Sequence, residues 1–420
     1  MQNRKDRVLT DAQPALRRSI GLVPLIIYGV GVTVGAGIYV LVGVTAGLAG
    51  PLAPLSFMLA ALIAAPSAFT FAELSARLPR SAGEALYVLE AFGSLRLSQI
   101  VGLTVIFTGV VSSATVTNGA AGYISEILDL PDWLIKLLFI ATLGAIAMWG
   151  VVQSVVVTVL LTFMELGGLL LIIGFGLWSI GNVDVLHWSA WSQPLSASGT
   201  SAIIGGILAG TLVAFFAFIG FEDLVNMAEE VRDPERVMPR AITWTLVLTT
   251  ILYLAVVTIA INVVPPAELA VSDAPLALVF ERASGHSATA FAAIAVLATV
   301  NTVLVQIIMA SRVLYGMVGS GAMPAIFGRI NARTQTPVTA TGIVITIVLL
   351  LAIVFPLAGL ARTTTFIALS IFTIVNLALW RIKRRDKSKR DHFTVPIWVP
   401  VMGAASSAAI LSFEIMQLIR

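Results

Sequence analysis

Glu165 is the residue whose placement most invites chemistry. It lies in TVLLTFMELGGLLLIIG, the one carboxylate in a long apolar run. A charge at that depth in a membrane costs at least about 2.5–3.5 kcal/mol. Three roles fit: a protonatable coupling residue, a holder of a cation, and a neutral carboxyl hydrogen-bonded to a neighbouring helix. Gly167 and Gly168, just beyond it, would let that neighbour approach closely. Glu222 and Asp223 pose the same problem in GTLVAFFAFIGFEDLVNMAEE, directly after Gly220. A helix that restarts after a break resolves it, because carboxylates are favoured at a helix N-terminus. A part in proton or cation handling is the other reading of Glu222. Thr299, Asn301 and Thr302 interrupt a third apolar run. Threonines there usually bond their own backbone, whereas asparagine is costlier to bury and should face the interior.

Bare backbone is the other chemical group on offer. The run Gly35-Ala36-Gly37 sits inside LIIYGVGVTVGAGIYVLVGVTAGLAG, Leu25 to Gly50. Three small residues weaken a helix there, and freed amides cannot face lipid. The break must line a cavity or meet a ligand. Amides of Ala36, Gly37 and Ile38 should point into it and suit an anionic group. Glycines placed only for tight helix packing are the plain alternative.

The elements that hold these residues follow from composition. The chain has 420 residues, 58% hydrophobic and only 11% charged, against about a quarter charged for a soluble protein. This is an all-α polytopic membrane protein. Spans of about 20 residues fall near 20–46, 51–76, 98–122, 133–151, 155–180, 201–228, 240–264, 286–318, 338–357, 363–382 and 396–419. The first is too long for a signal peptide and leads straight into the second, so no cleavage is expected. RSAGEALYVLEAFG, between spans 2 and 3, reads as a short helix on the membrane face.

Of 25 Lys and Arg, 21 fall on one side of this layout, including the run from Arg381 to Arg390; Lys136, Arg282, Arg362 and Arg420 fall on the other. That asymmetry marks the cytoplasmic side. It puts the N-terminus inside and, with eleven spans, the C-terminus outside. A lipid-headgroup site at Arg381–Arg390 is a secondary reading of the basic run.

The interrupted spans 1 and 6 lie five apart, and an odd offset reverses direction across the membrane. Two inverted repeats, 20–181 and 200–382, would place a site between them at mid-depth. An arm at 1–19, a basic loop at 383–395 and an additional span at 396–420 lie outside them. No residue-by-residue repeat is visible; the argument rests on the matched breaks.

Four stretches in order carry a resemblance: GVTVGAGIYVLVG, FAELSARLPRSAGEALYV, AFFAFIGFEDLVNMAEEVRDPERVMPRAI and SRVLYGMVGSGAMPAIFGRINARTQTPVTA. Across about residues 20–385 the chain resembles the amino acid–polyamine–organocation transporter superfamily, and within it the bacterial relatives of cationic amino acid transporters. The resemblance implies a five-plus-five inverted-repeat fold with alternating access. It implies that carbonyls of Thr33, Phe216 and Ile219 receive a substrate ammonium, with Phe216 as an aromatic gate. Relatives with a serine at Ala36 use its hydroxyl; here only backbone can serve. Several proton-coupled relatives carry a lysine at the position of Glu165, so this chain reverses the charge. Family members usually have twelve spans, so what the eleven counted here are expected to share is the ten-span core.

Several chemistries find no support. With no cysteine and three scattered histidines, His187, His286 and His392, no metal site, disulfide or cofactor is expected. Phosphate-loop and nucleophile-elbow patterns are absent, and nothing points to nucleic acid. The expected partners are a small amino acid or amine, a proton with sodium as the alternative ion, and the bilayer. A secondary active permease is the leading expectation. An exchanger, an inorganic-cation channel on the same scaffold and a non-transporting sensor are the alternatives. Substrate identity and oligomeric state stay open.

Overall fold

The structure, a computed structural model, describes residues 18–80, 83–149, 155–182, 200–319, 324–331, 334, 336–386 and 392–419. His187, Arg333 and the run 387–390 lie outside the described residues.

The described elements are helical. Span 1 is two helices, α1 (Leu22–Val34) and α2 (Gly37–Ala49). Span 2 is α3 (Ala53–Arg77). The short helix is α4 (Gly83–Phe92). Spans 3, 4 and 5 are α5 (Leu95–Ser125), α6 (Asp132–Trp149) and α7 (Val155–Asn182). Span 6 opens as α8 (Thr200–Phe216) and span 7 is α9 (Pro234–Val263). Two short helices come next, α10 (Pro266–Val271) and α11 (Pro275–Ser284), each with proline in its first turn. Spans 8 to 11 are α12 (Ala288–Gly319), α13 (Val338–Val354), α14 (Leu357–Arg385) and α15 (Trp398–Ile419).

Nine described segments are long and apolar enough to cross a membrane, with two shorter apolar helices at Leu22–Val34 and Val338–Val354. One of the nine, Gly37–Arg77, contains the Gly50–Leu52 turn, so it supplies the second half of span 1 and all of span 2. Spans 7 and 10 begin about six residues before the apolar run. Proline at the start of α9 is compatible with a helix's first turn, and polar residues are tolerated at a membrane boundary.

The packing has a two-fold logic. α3 packs on α9, α5 on α12, and α6 on α13. Each pair joins a span to the one five later. α1 packs on α9 and α7, while α8 packs on α3 and α14. α7 packs on α12, and α14 on α5. Advancing every span by five returns the first three pairings to themselves and exchanges the others in pairs. Inverted repeats with a shared central axis produce that pattern.

α15 lies against α14 and α3. A buried ion network ties them at the basic face. Glu73 of α3 accepts from Arg77 Nε (2.7 Å), Lys383 Nζ (2.8 Å) and the Val395 amide (2.7 Å). The carboxylate is wholly buried, so removing both cations would leave an unpaired charge, costing about 3–5 kcal/mol.

Candidate functional site

The two breaks meet. α1 ends at Val34, and Gly35 takes φ +21°, which favours glycine. α2 restarts at Gly37, its first backbone bond running from the Val40 amide to the Ala36 carbonyl. The amides of Gly37, Ile38 and Tyr39 precede that bond and are those a helix start leaves unpaired. In span 6 the chain tightens after Phe216. The amides of Ala217, Phe218 and Ile219 each reach back three residues, to the carbonyls of Ala214, Phe215 and Phe216. Gly220 then takes φ +130°.

The second half of span 6 corrects the expectation of a restarted α-helix. It is a seven-residue 3₁₀ stretch, Phe221–Met227. Glu222 does act at its start, where its Oε2 accepts from the Gly220 amide at 2.8 Å. A carboxylate spent on a backbone amide beside a glycine kink leaves the chain in the tighter winding.

Contact between the breaks is backbone on backbone. A Cβ at Gly37 would lie 2.8 Å from Ala217 Cα, and one at Gly220 would lie 2.9 Å from the Val32 carbonyl oxygen. Over both sits Tyr253 of α9. Its buried hydroxyl lies 2.8 Å from the carbonyl of Thr33 and 2.8 Å from that of Ala217. One phenol thus spans the free carbonyls of both helices. A lone tyrosine in TTILYLAVV can be singled out from sequence, since a buried phenol needs a partner.

The expected binding residues are gathered here, with local partners already in place. Ala36 donates its amide to Thr302 Oγ1 (3.2 Å), and the Thr302 hydroxyl donates to the Ala298 carbonyl. The carbonyls of Thr33 and Phe216 take Tyr253 and the Ile219 amide, while the Ile219 carbonyl joins none of these turn bonds. Phe216 is buried and pairs with no other ring among the described residues. Phe215 and Phe221 pack on Phe372, and Phe218 on Tyr253. Thr299 bonds back to Val296.

Glu165 is 1% exposed. Its Oε1 accepts from Asn301 Nδ2 at 3.1 Å, joining span 5 to span 8. Its Oε2 and Asn301 Oδ1 have no partner. The Tyr39 hydroxyl donates to the Glu165 carbonyl. Of the two glycines beyond it, only Gly168 is crowded. A Cβ there would lie 2.6 Å from the Tyr39 hydroxyl, whereas one at Gly167 would meet nothing within 4 Å.

Two cavities flank the breaks. On the basic side Glu84, Glu222, Asp223, Ser112 and Gln306 line a space of about 30 Å³, the size of one water. Glu84, at the start of α4 and outside the spans, does not stand out in the sequence. Burial lifts its carboxyl to about 7; its own backbone amide opposes the shift and the Asp223 charge adds to it. On the other side a space of about 620 Å³ reaches from Val40 to the Ala270–Asp273 segment and Phe355. Its floor at Val40 is one helical turn from Gly37. Between these spaces the free amides of one helix start and the carbonyls of two helix ends converge, groups that suit opposite ends of a small zwitterion.

Known proteins resemble the chain along the same lines. Residues 20–419 match the family model described as amino acid permease. A branched-chain amino acid permease of Bacillus subtilis is 27% identical over 412 residues, covering 94% of this chain and 86% of that protein. A methylthioribose transporter of the same organism is 27% identical, covering 95% and 88%. A mitochondrial cationic amino acid transporter of Arabidopsis thaliana is 30% identical, covering 87% of this chain and 62% of its own length. A polytopic helical bundle, two touching helix breaks and a family match along nearly its whole length place the chain among transporters rather than enzymes: it belongs to the amino acid permease family of the amino acid–polyamine–organocation superfamily.

Proposed function

We propose that this chain is a secondary active transporter carrying amino acids across the cytoplasmic membrane by alternating access, coupled to protons. The contact of the two breaks beneath the Tyr253 hydroxyl carries this reading. Amides of Gly37 and Ile38 take the substrate carboxylate. Carbonyls at Thr33 and Ile219 take its ammonium, and Phe216 closes over it. Glu165 carries the coupling proton. One proton on Oε2 supplies the donor that Asn301 Oδ1 lacks, completing a paired acid–amide ring with the existing Asn301 Nδ2 bond. The basic face is cytoplasmic. The relatives' substrates range over branched-chain and cationic amino acids and a thiosugar, which supports a small polar solute. The amide-and-carbonyl pairing narrows it to an amino acid or close amine.

A second reading rests on the same two unpaired oxygens. Glu165 Oε2 and Asn301 Oδ1 also suit a sodium ion. Reconstitution in liposomes separates them. Labelled neutral amino acids, cationic amino acids and polyamines are offered under imposed proton or sodium gradients. Uptake of an amino acid that rises with an inward proton gradient is the expected result. Dependence on sodium alone would favour the second reading. Cation flux with no amino acid or amine uptake would overturn both.

A further inference from the structure

Among the described residues, twelve buried side-chain atoms have no hydrogen-bond partner, and five of them lie on four helices that pack together around α7. They are Thr33 Oγ1 of α1, Glu165 Oε2 of α7, Thr245 and Thr249 Oγ1 of α9, and Asn301 Oδ1 of α12. All five side chains are at least nine-tenths buried. α7 packs on α1, α9 and α12, and α1 packs on α9, which forms the seam between them. An unsatisfied buried polar atom costs about 1–3 kcal/mol. Native interiors resolve such clusters with ordered water.

Thr245, Thr249 and Tyr253 are spaced by four residues and form one stripe on α9. Gly29 and Thr33 do the same on α1. The stripes are in register at both ends. A Cβ at Gly29 would lie 2.5 Å from Thr245 Oγ1, and the Tyr253 hydroxyl reaches the Thr33 carbonyl. Thr249 falls between. Gly31 presents bare backbone to Thr162 of span 5 in the same way. The glycines of α1 therefore let hydroxyls from two other spans lie against its main chain. α9 starts at the basic face, beside the bridge that pairs Val231 with Ile20 ahead of α1. From Tyr253 to Thr245 the stripe descends roughly 12 Å toward that face.

We propose that this seam holds a file of water joining Glu165 to the basic face, and that protons use it as a route separate from the substrate's. The proposal rests on the reading of Glu165 as the coupling residue. The O–H bond at Glu165 Oε2 breaks and re-forms on the first water oxygen. Successive transfers past Thr249 and Thr245 deliver hydronium to the basic face and leave Glu165 a carboxylate. The small cavity lined by Glu84, Glu222 and Asp223 lies among spans 3, 6, 8 and 10. That cavity has no lining residue on α1, α7 or α9, so it is distinct from the seam.

The titratable groups facing Glu165 are the phenols of Tyr39, from α2, and Tyr253, from α9. Tyr28 of α1 faces Asp223 and Glu230 instead. His286, beyond α11, sits against Phe175, ten residues further along α7. From α12 the facing polar group is the Asn301 amide.

The cysteine-free sequence allows a direct test. Single variants Thr245→Cys, Thr249→Cys and Val256→Cys are made in the full chain, the last as a wholly buried apolar control on the same helix. Methanethiosulfonate ethylammonium reacts with thiolate, which forms where water is present, so the two threonine positions should react at least about tenfold faster than the control. The double variant Thr245→Val, Thr249→Val should lose about tenfold in proton-driven uptake while counterflow exchange stays as in the wild type. Cysteines as inert as the control, or a double variant with normal proton-driven uptake, overturn the proposal. So does an equal loss of counterflow, which would mark a structural role. A wild type that moves no protons with substrate removes the coupling reading and the route together. A proton-coupled wild type with unreactive cysteines removes the route alone.

Discussion

Gly37→Val is expected to abolish uptake. The Cβ would arrive 2.8 Å from Ala217 Cα and 3.1 Å from its Cβ. The obstacle is main chain, so no rotamer change relieves it. Overpacking costs about 1–3 kcal/mol even for modest insertions, and here the whole cost falls on the contact that holds the two breaks together. Every 1.4 kcal/mol lost from transition-state stabilisation is about a tenfold loss of rate. The branched side chain would also project into the space where the amides of Gly37 and Ile38 are proposed to meet the substrate. Gly167→Ala is the matched control. It lies in a helix of similar depth, and a Cβ there meets nothing within 4 Å. It should transport as the wild type does, with a slightly more stable helix. Labelled amino acid uptake by the two variants in liposomes checks both. Normal uptake by Gly37→Val would mean that substrate does not pass between the breaks.

Glu165→Gln is expected to remove accumulation and spare binding. The glutamine keeps an oxygen for the Asn301 Nδ2 bond and adds an N–H for Asn301 Oδ1. The packing between spans 5 and 8 is therefore retained, while the group that gains and loses a proton is gone. One proton carried per substrate converts each unit of pH gradient into about 1.4 kcal/mol, an accumulation of about tenfold. The wild type should reach that ratio per unit with the acidic side outside. In the variant, the ratio should stay near one at every gradient while counterflow continues. A variant that accumulates substrate with an ordinary pH profile would remove Glu165 from coupling. Retained accumulation under a sodium gradient in the wild type, lost in the variant, would assign the position to a cation.

The break in span 1 is legible in Gly35-Ala36-Gly37 because three small residues, two of them glycine, weaken a helix at that depth. Its counterpart is legible only in outline. Gly220 and the carboxylates after it mark a disturbance, but the unwinding starts at Ala217, inside an unbroken apolar run, and the stretch beyond Gly220 is 3₁₀. Local sequence does not tell an α-turn from a tighter one when the deciding interaction is a side chain returning to a nearby amide. Asn301, costly to bury, faces the interior as its chemistry requires, and there it meets Glu165. Thr302 bonds its own backbone at Ala298, as threonines in apolar helices do. It also accepts the Ala36 amide from a helix 266 residues away in sequence. Such partnerships depend on how spans are rotated against each other, which hydropathy leaves undetermined. Tyr253 lies in plain view, but nothing local says which carbonyls its hydroxyl reaches. Glu84 is hidden by its setting, since a carboxylate in a short surface helix ordinarily faces water.

The central claim is that the paired breaks are the place where substrate is held. An experimental density map of the purified protein with its transported amino acid tests this most directly. The account predicts the carboxylate against the amides of Gly37 and Ile38, the ammonium near the carbonyls of Thr33 and Ile219, and Phe216 over the side chain. Substrate found only in the outer cavity between Val40 and Phe355, with both breaks closed and untouched, would contradict it.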